Sequence, residues 1–168
     1  MAQSSPSCRP CAEVDVITLH VGQAPLDLPV LESFGLEKYG DDGVGALVIF
    51  AGVVRRASQG PALTAMTYDG HPRLIARGFE RLEHALRKQQ PAAWNASVQF
   101  RLGRVPVGAA SLIIATISAH RPAAYEMNRA SLEGLKLYSP IWKCEHFEDG
   151  QNTWLDGRSL REPPRETP

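Results

Sequence analysis

The feature that most constrains the fold is an apolar run that leads into a helical pattern and then into a proline break. Ser111 to Ser118 is mostly apolar or β-branched, which is typical of a buried strand. Ala119-His120-Arg121 follows, and Pro122 opens a helical pattern over Ala123 to Leu137. Because proline cannot continue a helix, Ser139-Pro140 ends that pattern. The sequence therefore predicts a strand, a helix and a second extended segment joined by tight turns.

Elsewhere the hydrophobic pattern predicts an α+β fold with two main helices. The clearer helix covers His71 to Gln90, with Pro72 in its first turn and Pro91 after its end. Its apolar residues recur on one face, at Ile75, Phe79, Leu82 and Leu86. Further strands are predicted at Val14 to Val21, Val44 to Val54, Leu63 to Tyr68 and Val98 to Leu102.

A β-hairpin is predicted near the end of the chain, where Glu148-Asp-Gly150 separates two extended runs. These runs are Ile141 to Phe147 and Asn152 to Leu155. Alternation along the first run places Cys144 and His146 on one face and Glu145 on the other. These three side chains therefore do not converge on a metal ion, and the five histidines show no metal-binding spacing.

Two lysines flank the Ser139-Pro140 break, with Lys143 seven residues after Lys136 (143 − 136). If the break brings the ammonium groups together, each lowers the pKa of the other toward the range where lysine transfers protons near neutral pH. The spacing alone favours a simpler interpretation, two solvated surface lysines, because most lysines are exposed.

The segment before the second helix has the composition of an anion site. A strand that runs through His120 and Arg121 into a helix places free N–H groups and the positive end of the helix dipole beside these residues. Arg121 can bind a phosphate through two hydrogen bonds, and His120 can donate a proton or a hydrogen bond.

The composition excludes several classes of function. Lys and Arg number 18, as do Asp and Glu, so the charge balance favours neither nucleic acid nor an anionic membrane surface. No apolar run approaches the roughly 20 residues of a membrane-spanning helix, and no secretory signal is visible at the N-terminus. Three cysteines, an odd number, do not suggest a disulfide framework, so a reducing cytoplasm is the expected compartment.

Four blocks of sequence resemble, in the same order, the catalytic (large) subunit of molybdopterin synthase. The blocks are Gly45 to Arg55, Ser118 to Arg121, Leu135 to Glu145 and Trp154 to Arg158. The resemblance implies an α/β hammerhead-type core with a small antiparallel β subdomain, which we expect as one domain over residues 13–158. Composition predicts a disordered lead-in at residues 1–12 and a flexible tail at 159–168.

The resemblance also implies a sulfurtransferase. Such an enzyme converts cyclic pyranopterin monophosphate into molybdopterin by inserting two sulfur atoms. A small ubiquitin-like carrier subunit would deliver the sulfur as a thiocarboxylate on its C-terminal Gly-Gly, so no metal or organic cofactor is expected. The family further implies a homodimer that binds two carriers to form a heterotetramer. In that dimer, His120 and Arg121 of one protomer would face Lys136 and Lys143 of the other.

The implied site residues suit this chemistry. We expect Lys136 to transfer protons and Lys143 to stabilise negative charge and hold the thiocarboxylate. Arg55, His120 and Arg121 would bind the phosphate and the pterin. The resemblance adds the backbone at Val53 and Val54 and the side chains of Cys144, Glu145 and Arg158 as substrate contacts. Val53 and Cys144 differ from the polar or basic residues common in the family at these positions.

Two other functions fit part of the pattern. A non-catalytic relative would use the lysines only to dock the C-terminal carboxylate of a ubiquitin-like partner. An unrelated enzyme would act on another phosphorylated small molecule. Because a binding module would not need His120 and Arg121 beside the lysines, the full set favours the synthase.

Overall fold

The computed structural model describes residues 17–27, 43–56, 61–89 and 94–155. These residues form two four-stranded sheets and two helices of 18 residues each. The strands are β1 (Ile17–Gly22), β2 (Ala46–Val53), β3 (Leu63–Asp69), β4 (Trp94–Arg101), β5 (Gly103–Pro106), β6 (Ala110–Ser118), β7 (Trp142–Phe147) and β8 (Asn152–Trp154). The helices are α1 (Pro72–Gln89) and α2 (Arg121–Tyr138). The α+β class is therefore confirmed.

Several predictions lie outside the described residues. They are the lead-in at 1–12, the first residues of the strand predicted at Val14 to Val21, the tail at 159–168, and Arg158. The domain bounds 13–158 stay a prediction for the same reason. No helix within the described ranges is long and apolar enough to cross a membrane.

The two sheets differ in how their strands pair. The first has the order β1-β4-β6-β2, in which β1 and β4 are parallel and the other neighbours are antiparallel. The second has the order β5-β3-β7-β8 and is antiparallel throughout. This second sheet matches the small antiparallel subdomain that the resemblance implied.

The helices pack on one face of the first sheet and share its main core. That core combines Phe79, Leu82 and Leu86 of α1 with Met127 and Leu135 of α2 and with Ala96, Val98 and Ile114 of the sheet. Each large apolar side chain buried this way contributes about 1.5 to 3 kcal/mol. The apolar face predicted for α1 is confirmed, since all four of its residues are buried.

Helix α2 runs back along β6, from the end of the strand toward its beginning. Thr116 Oγ1 donates to the carbonyl oxygen of Ala124 at 2.8 Å, and one turn later Asn128 Nδ2 donates to that of Ile114 at 3.1 Å. The Asn128 amide also donates to the carbonyl oxygen of Val48 on β2, at 3.1 Å. Because Asn128 is buried, these bonds tie the middle of α2 firmly to the sheet.

Close packing also fixes the C-terminal end of α2 against α1. A Cβ added at Gly78 of α1 would clash with the carbonyl group of Tyr138, the last residue of α2. Glycine therefore lets the two backbones approach closely at this point.

The hairpin prediction is confirmed, and one strand was not predicted. Strands β7 and β8 flank a turn in which Gly150 has a φ of 82°, a conformation that glycine adopts without strain. The unpredicted strand is β5, four residues long; it begins at Gly103, and Gly108 lies two residues after its end, both with positive φ. A strand this short, between two turn residues, shows no readable alternation.

Candidate active site

The Ser139-Pro140 break folds the chain so that the two lysines approach each other. Helix α2 ends at Tyr138, and the Ser139 N–H donates to the carbonyl oxygen of Leu135 at 2.9 Å. The Ile141 N–H then donates to the carbonyl oxygen of Ser139 at 2.9 Å, which forms a tight turn into β7. Lys136 thus lies in the last turn of the helix, and Lys143 is the second residue of the strand.

Both lysines are exposed residues, but the surroundings of their ammonium groups differ. Lys136 Nζ donates to Glu133 Oε1 at 3.3 Å, and its side chain is 55% exposed. Burial, and then the positive charge of Lys136, hold the pKa of Lys143 below its ordinary value of 10.5. The charge of Lys136 acts on Lys143, which is consistent with the predicted approach of the two ammonium groups. This lowered pKa favours Lys143 for proton transfer, whereas that role was expected for Lys136 from the sequence.

Strand pairing places Lys143 over an aromatic ring. Lys143 is opposite Tyr68 in the register of β7 and β3, and its Nζ lies 5.9 Å from the centre of the Tyr68 ring. Alternation puts Glu145 on this same face and half-buried, but no ion pair joins it to Lys143 within the described residues.

The opposite face of β7 carries Cys144 and His146, as predicted. Cys144 is a buried free thiol. The two ring nitrogens of His146 form hydrogen bonds with Thr67 Oγ1, at 2.7 Å, and Asn152 Oδ1, at 2.5 Å. Among the described residues, no group of three or more His, Cys, Asp or Glu side chains is arranged to hold a metal ion. Cys144 thus points away from the face that carries Lys143.

The end of β2 lies at the same end of the fold as the lysines. The Val54 N–H donates to the carbonyl oxygen of Ala109 at 3.0 Å, and the Val54 carbonyl accepts from the Gly108 N–H at 2.9 Å. Val54 is only 3% exposed and packs in the same core cluster as Tyr68, while Val53 is 48% exposed. Both backbone polar groups of Val54 are therefore paired within the protein. Arg55, which follows, is exposed.

His120 and Arg121 lie at the other end of α2. His120 is the N-cap, its side chain makes no capping hydrogen bond, and Pro122 is in the first turn. Both His120 and Arg121 are exposed. The 15 residues from Arg121 to Lys136 (136 − 121), at 1.5 Å each, place the two ends about 22 Å apart. Within one chain, the predicted residues thus form two separate groups, which we call the lysine group (Arg55, Lys136 and Lys143) and the histidine group (His120 and Arg121).

The sequence matches the family model described as MoaE protein over residues 22–138. A relative from Synechococcus elongatus, a molybdopterin synthase catalytic subunit, is 34% identical over 147 residues, which are 87% of this chain and 89% of that protein. The chain belongs to the MoaE protein family.

Solved structures agree with this membership in the MoaE family. Molybdopterin synthase from Staphylococcus aureus superposes with a TM-score of 0.70 at 25% identity, covering 82% of this chain and 96% of that chain. A complex of subunits 1 and 2 of the molybdopterin-converting factor from Helicobacter pylori superposes with a TM-score of 0.65 at 23% identity, covering 83% and 91%. The fold implied by the resemblance is therefore confirmed.

Two residues of this MoaE-family site were missed in the sequence analysis. Tyr68 forms one wall beside Lys143, and its hydroxyl shares a hydrogen bond with Ser111. Both residues were assigned only to predicted strands. Their place in the site depends on the pairing of β3 with β7 and on the approach of the two sheets, which no local pattern encodes.

Proposed function

We propose that this chain is the catalytic subunit of a molybdopterin synthase, which converts cyclic pyranopterin monophosphate to molybdopterin by inserting two sulfur atoms. Membership of the MoaE family supports the reaction class. The observation that carries the proposal is the pair of approaching lysines, one of which has a lowered pKa. Sulfur insertion and opening of a cyclic phosphate require proton transfers, and a lowered pKa makes a lysine better suited to them than an ordinary lysine.

The environments of the lysines support a division of roles. Lys143 is the better candidate for proton transfer, because burial and the charge of Lys136 lower its pKa. Lys136 is largely exposed and its ion pair with Glu133 is a weak surface pair, so its ammonium group can turn to stabilise negative charge and to hold a thiocarboxylate. This assignment reverses the roles expected from the sequence. Glu145, on the same face as Lys143, is proposed to contact the substrate or the carrier tail.

The separation of the two residue groups supports a pocket shared between protomers. A distance of about 22 Å along α2 is too large for His120 and Lys136 of one chain to contact one phosphate group. A two-fold dimer would bring the histidine group of one protomer to the lysine group of the other, twice over. We therefore propose a homodimer with two pockets, each completed by Arg55 and Arg158.

The proposed sulfur donor is a small ubiquitin-like carrier subunit that ends in a Gly-Gly thiocarboxylate. The H. pylori structure of similar fold is a complex of two subunits, which supports a partner of this kind. Two carriers on one homodimer would form a heterotetramer. The proposed compartment is the cytoplasm, where a free thiol such as that of Cys144 stays reduced.

Reconstitution tests the function directly. The purified protein is incubated with the pyranopterin precursor and a thiocarboxylated carrier, and the dithiolene product is measured. The matched control uses the same carrier with an ordinary C-terminal carboxylate, which has no sulfur to transfer. Product should form only with the thiocarboxylate. No product from folded protein and active carrier would contradict the proposal.

A further inference from the structure

Tyr68 is the residue best placed to control Lys143, although its sequence context predicts only a strand residue. The two residues face each other across β3 and β7, and the ammonium nitrogen lies 5.9 Å from the ring centre. Since directly opposed residues of an antiparallel pair project from the same face, the ring covers one side of the lysine.

The ring of Tyr68 is held at both ends. Its edge meets Phe100, with ring centres 5.7 Å apart and planes at 79°, and the side chain is only 7% exposed. Its hydroxyl shares a hydrogen bond with Ser111, whose Oγ also donates to the carbonyl oxygen of Gly52 at 3.3 Å. Gly52 lies at the β-bulge where β2 ends, three residues before Arg55. Tyr68 therefore connects the sheet that carries Lys143 to the strand that leads to Arg55.

The ring has two opposite effects on the ammonium group of Lys143. Cation–π attraction favours the charged form, whereas exclusion of water favours the neutral form. The 5.9 Å separation is near the outer limit of about 6 Å for cation–π attraction, so that effect is weak here. Burial is the larger cause of the lowered pKa of Lys143. Because the attraction is weak at this distance, we expect exclusion of water by the ring to outweigh it.

We propose that Tyr68 is a positioning residue for the active site. Its ring fixes the Lys143 ammonium group and keeps water from one side of it. This inference rests on the proposed function only in treating Lys143 as the proton-transfer group. The contact itself can be tested without any substrate.

The test measures the reactivity of Lys143 toward acetic anhydride as a function of pH, with the labelled peptide quantified by mass spectrometry. Only the neutral amine reacts, so the midpoint of the pH curve reports the pKa of Lys143, and changes in accessibility alter only its height. The proteins are wild type, Tyr68→Leu and Tyr68→Phe. Lys88, an exposed lysine near the end of α1, is the internal control in each sample.

Removing the ring should let water reach the amine. In Tyr68→Leu the Lys143 midpoint should rise by about 0.5 to 1 pH unit, while the Lys88 midpoint stays constant. Tyr68→Phe keeps the ring, so its Lys143 midpoint should match wild type. An unchanged or lower midpoint in Tyr68→Leu would overturn the inference, as would an equal rise in Tyr68→Phe. If Tyr68→Leu does not fold, Tyr68→Met serves in the same comparison.

Turnover provides the second measurement. The acidic limb of the pH–rate profile should move upward in Tyr68→Leu and remain in place in Tyr68→Phe, in parallel with the labelling. If labelling shifts as expected but wild type makes no molybdopterin, the positioning role stands and the proposed function fails. If wild type is active and neither midpoint nor profile moves in Tyr68→Leu, the positioning role fails and the function stands.

Discussion

Two inactive variants should recover activity when mixed, if the pocket is shared between protomers. The proposed variants are His120→Ala, from the histidine group, and Lys136→Ala, from the lysine group. Within one chain these groups lie at opposite ends of α2, about 22 Å apart. In a heterodimer of the two variants, one pocket would carry both substitutions and the other would carry neither.

The size of the recovery follows from this geometry. Random exchange of an equimolar mixture makes about half of the dimers heterodimers, and each has one intact pocket of two. About a quarter of the wild-type activity should therefore return. The assay is formation of the dithiolene product from precursor and thiocarboxylated carrier, before and after exchange. Exchange itself is verified by native mass spectrometry of protomers with different tags.

A second mixture controls for any gain of activity that comes from mixing alone. His120→Ala and Arg121→Ala both alter the histidine group, so each pocket of their heterodimer keeps one substitution, and activity should stay low. If the first mixture stays inactive although exchange is complete, the residues act within one chain and the shared pocket is wrong. If both mixtures recover equally, the recovery does not depend on how the groups are divided between protomers.

Four further predictions concern single substitutions. Lys143→Ala should lower kcat by about 10²- to 10⁴-fold with the fold intact, whereas Lys88→Ala, the matched control, should retain wild-type turnover and circular dichroism. Lys136→Ala removes the charge that repels the Lys143 ammonium group, so the midpoint of Lys143 labelling by acetic anhydride should move to higher pH; an unmoved midpoint in a folded variant would argue against coupling. Lys143→Met should raise the free energy of unfolding, because it removes the cost of burying a charged amine. The gain should be largest at neutral pH, below the lowered pKa of Lys143 in the folded protein. That advantage should shrink as pH rises toward 10.5, where the unfolded chain also loses its proton, and thermal melts of both proteins across this range would check the sign. Gly78→Ala should lower the free energy of unfolding by about 1 to 3 kcal/mol in urea titrations, since its methyl group would clash with the Tyr138 carbonyl. A loss below about 0.5 kcal/mol would mean that the two helices move apart easily.

Local pattern was enough to predict much of the fold. The apolar residues of α1 recur at helical spacing, and their burial confirms the face predicted from that spacing alone. The proline break after α2 and the Asp-Gly turn of the hairpin are likewise local signals. Proline restricts the backbone and glycine frees it wherever they occur in a chain. The approach of Lys136 and Lys143 was predictable for the same reason, since one short turn joins their elements.

The rest was decided by contacts between distant parts of the chain. Tyr68 and Lys143 are 75 residues apart (143 − 68), and only the register of β3 with β7 places the ring beside the amine. The sequence assigned the proton-transfer role to Lys136, whereas desolvation of the Lys143 amine in the folded protein lowers the pKa of Lys143. The separation of the histidine and lysine groups likewise depends on how α2 runs back along β6, tied there by Asn128. Residue types and spacing determined which groups are available to this protein, and tertiary packing decided which of them meet, because burial and pairing are properties of the whole fold.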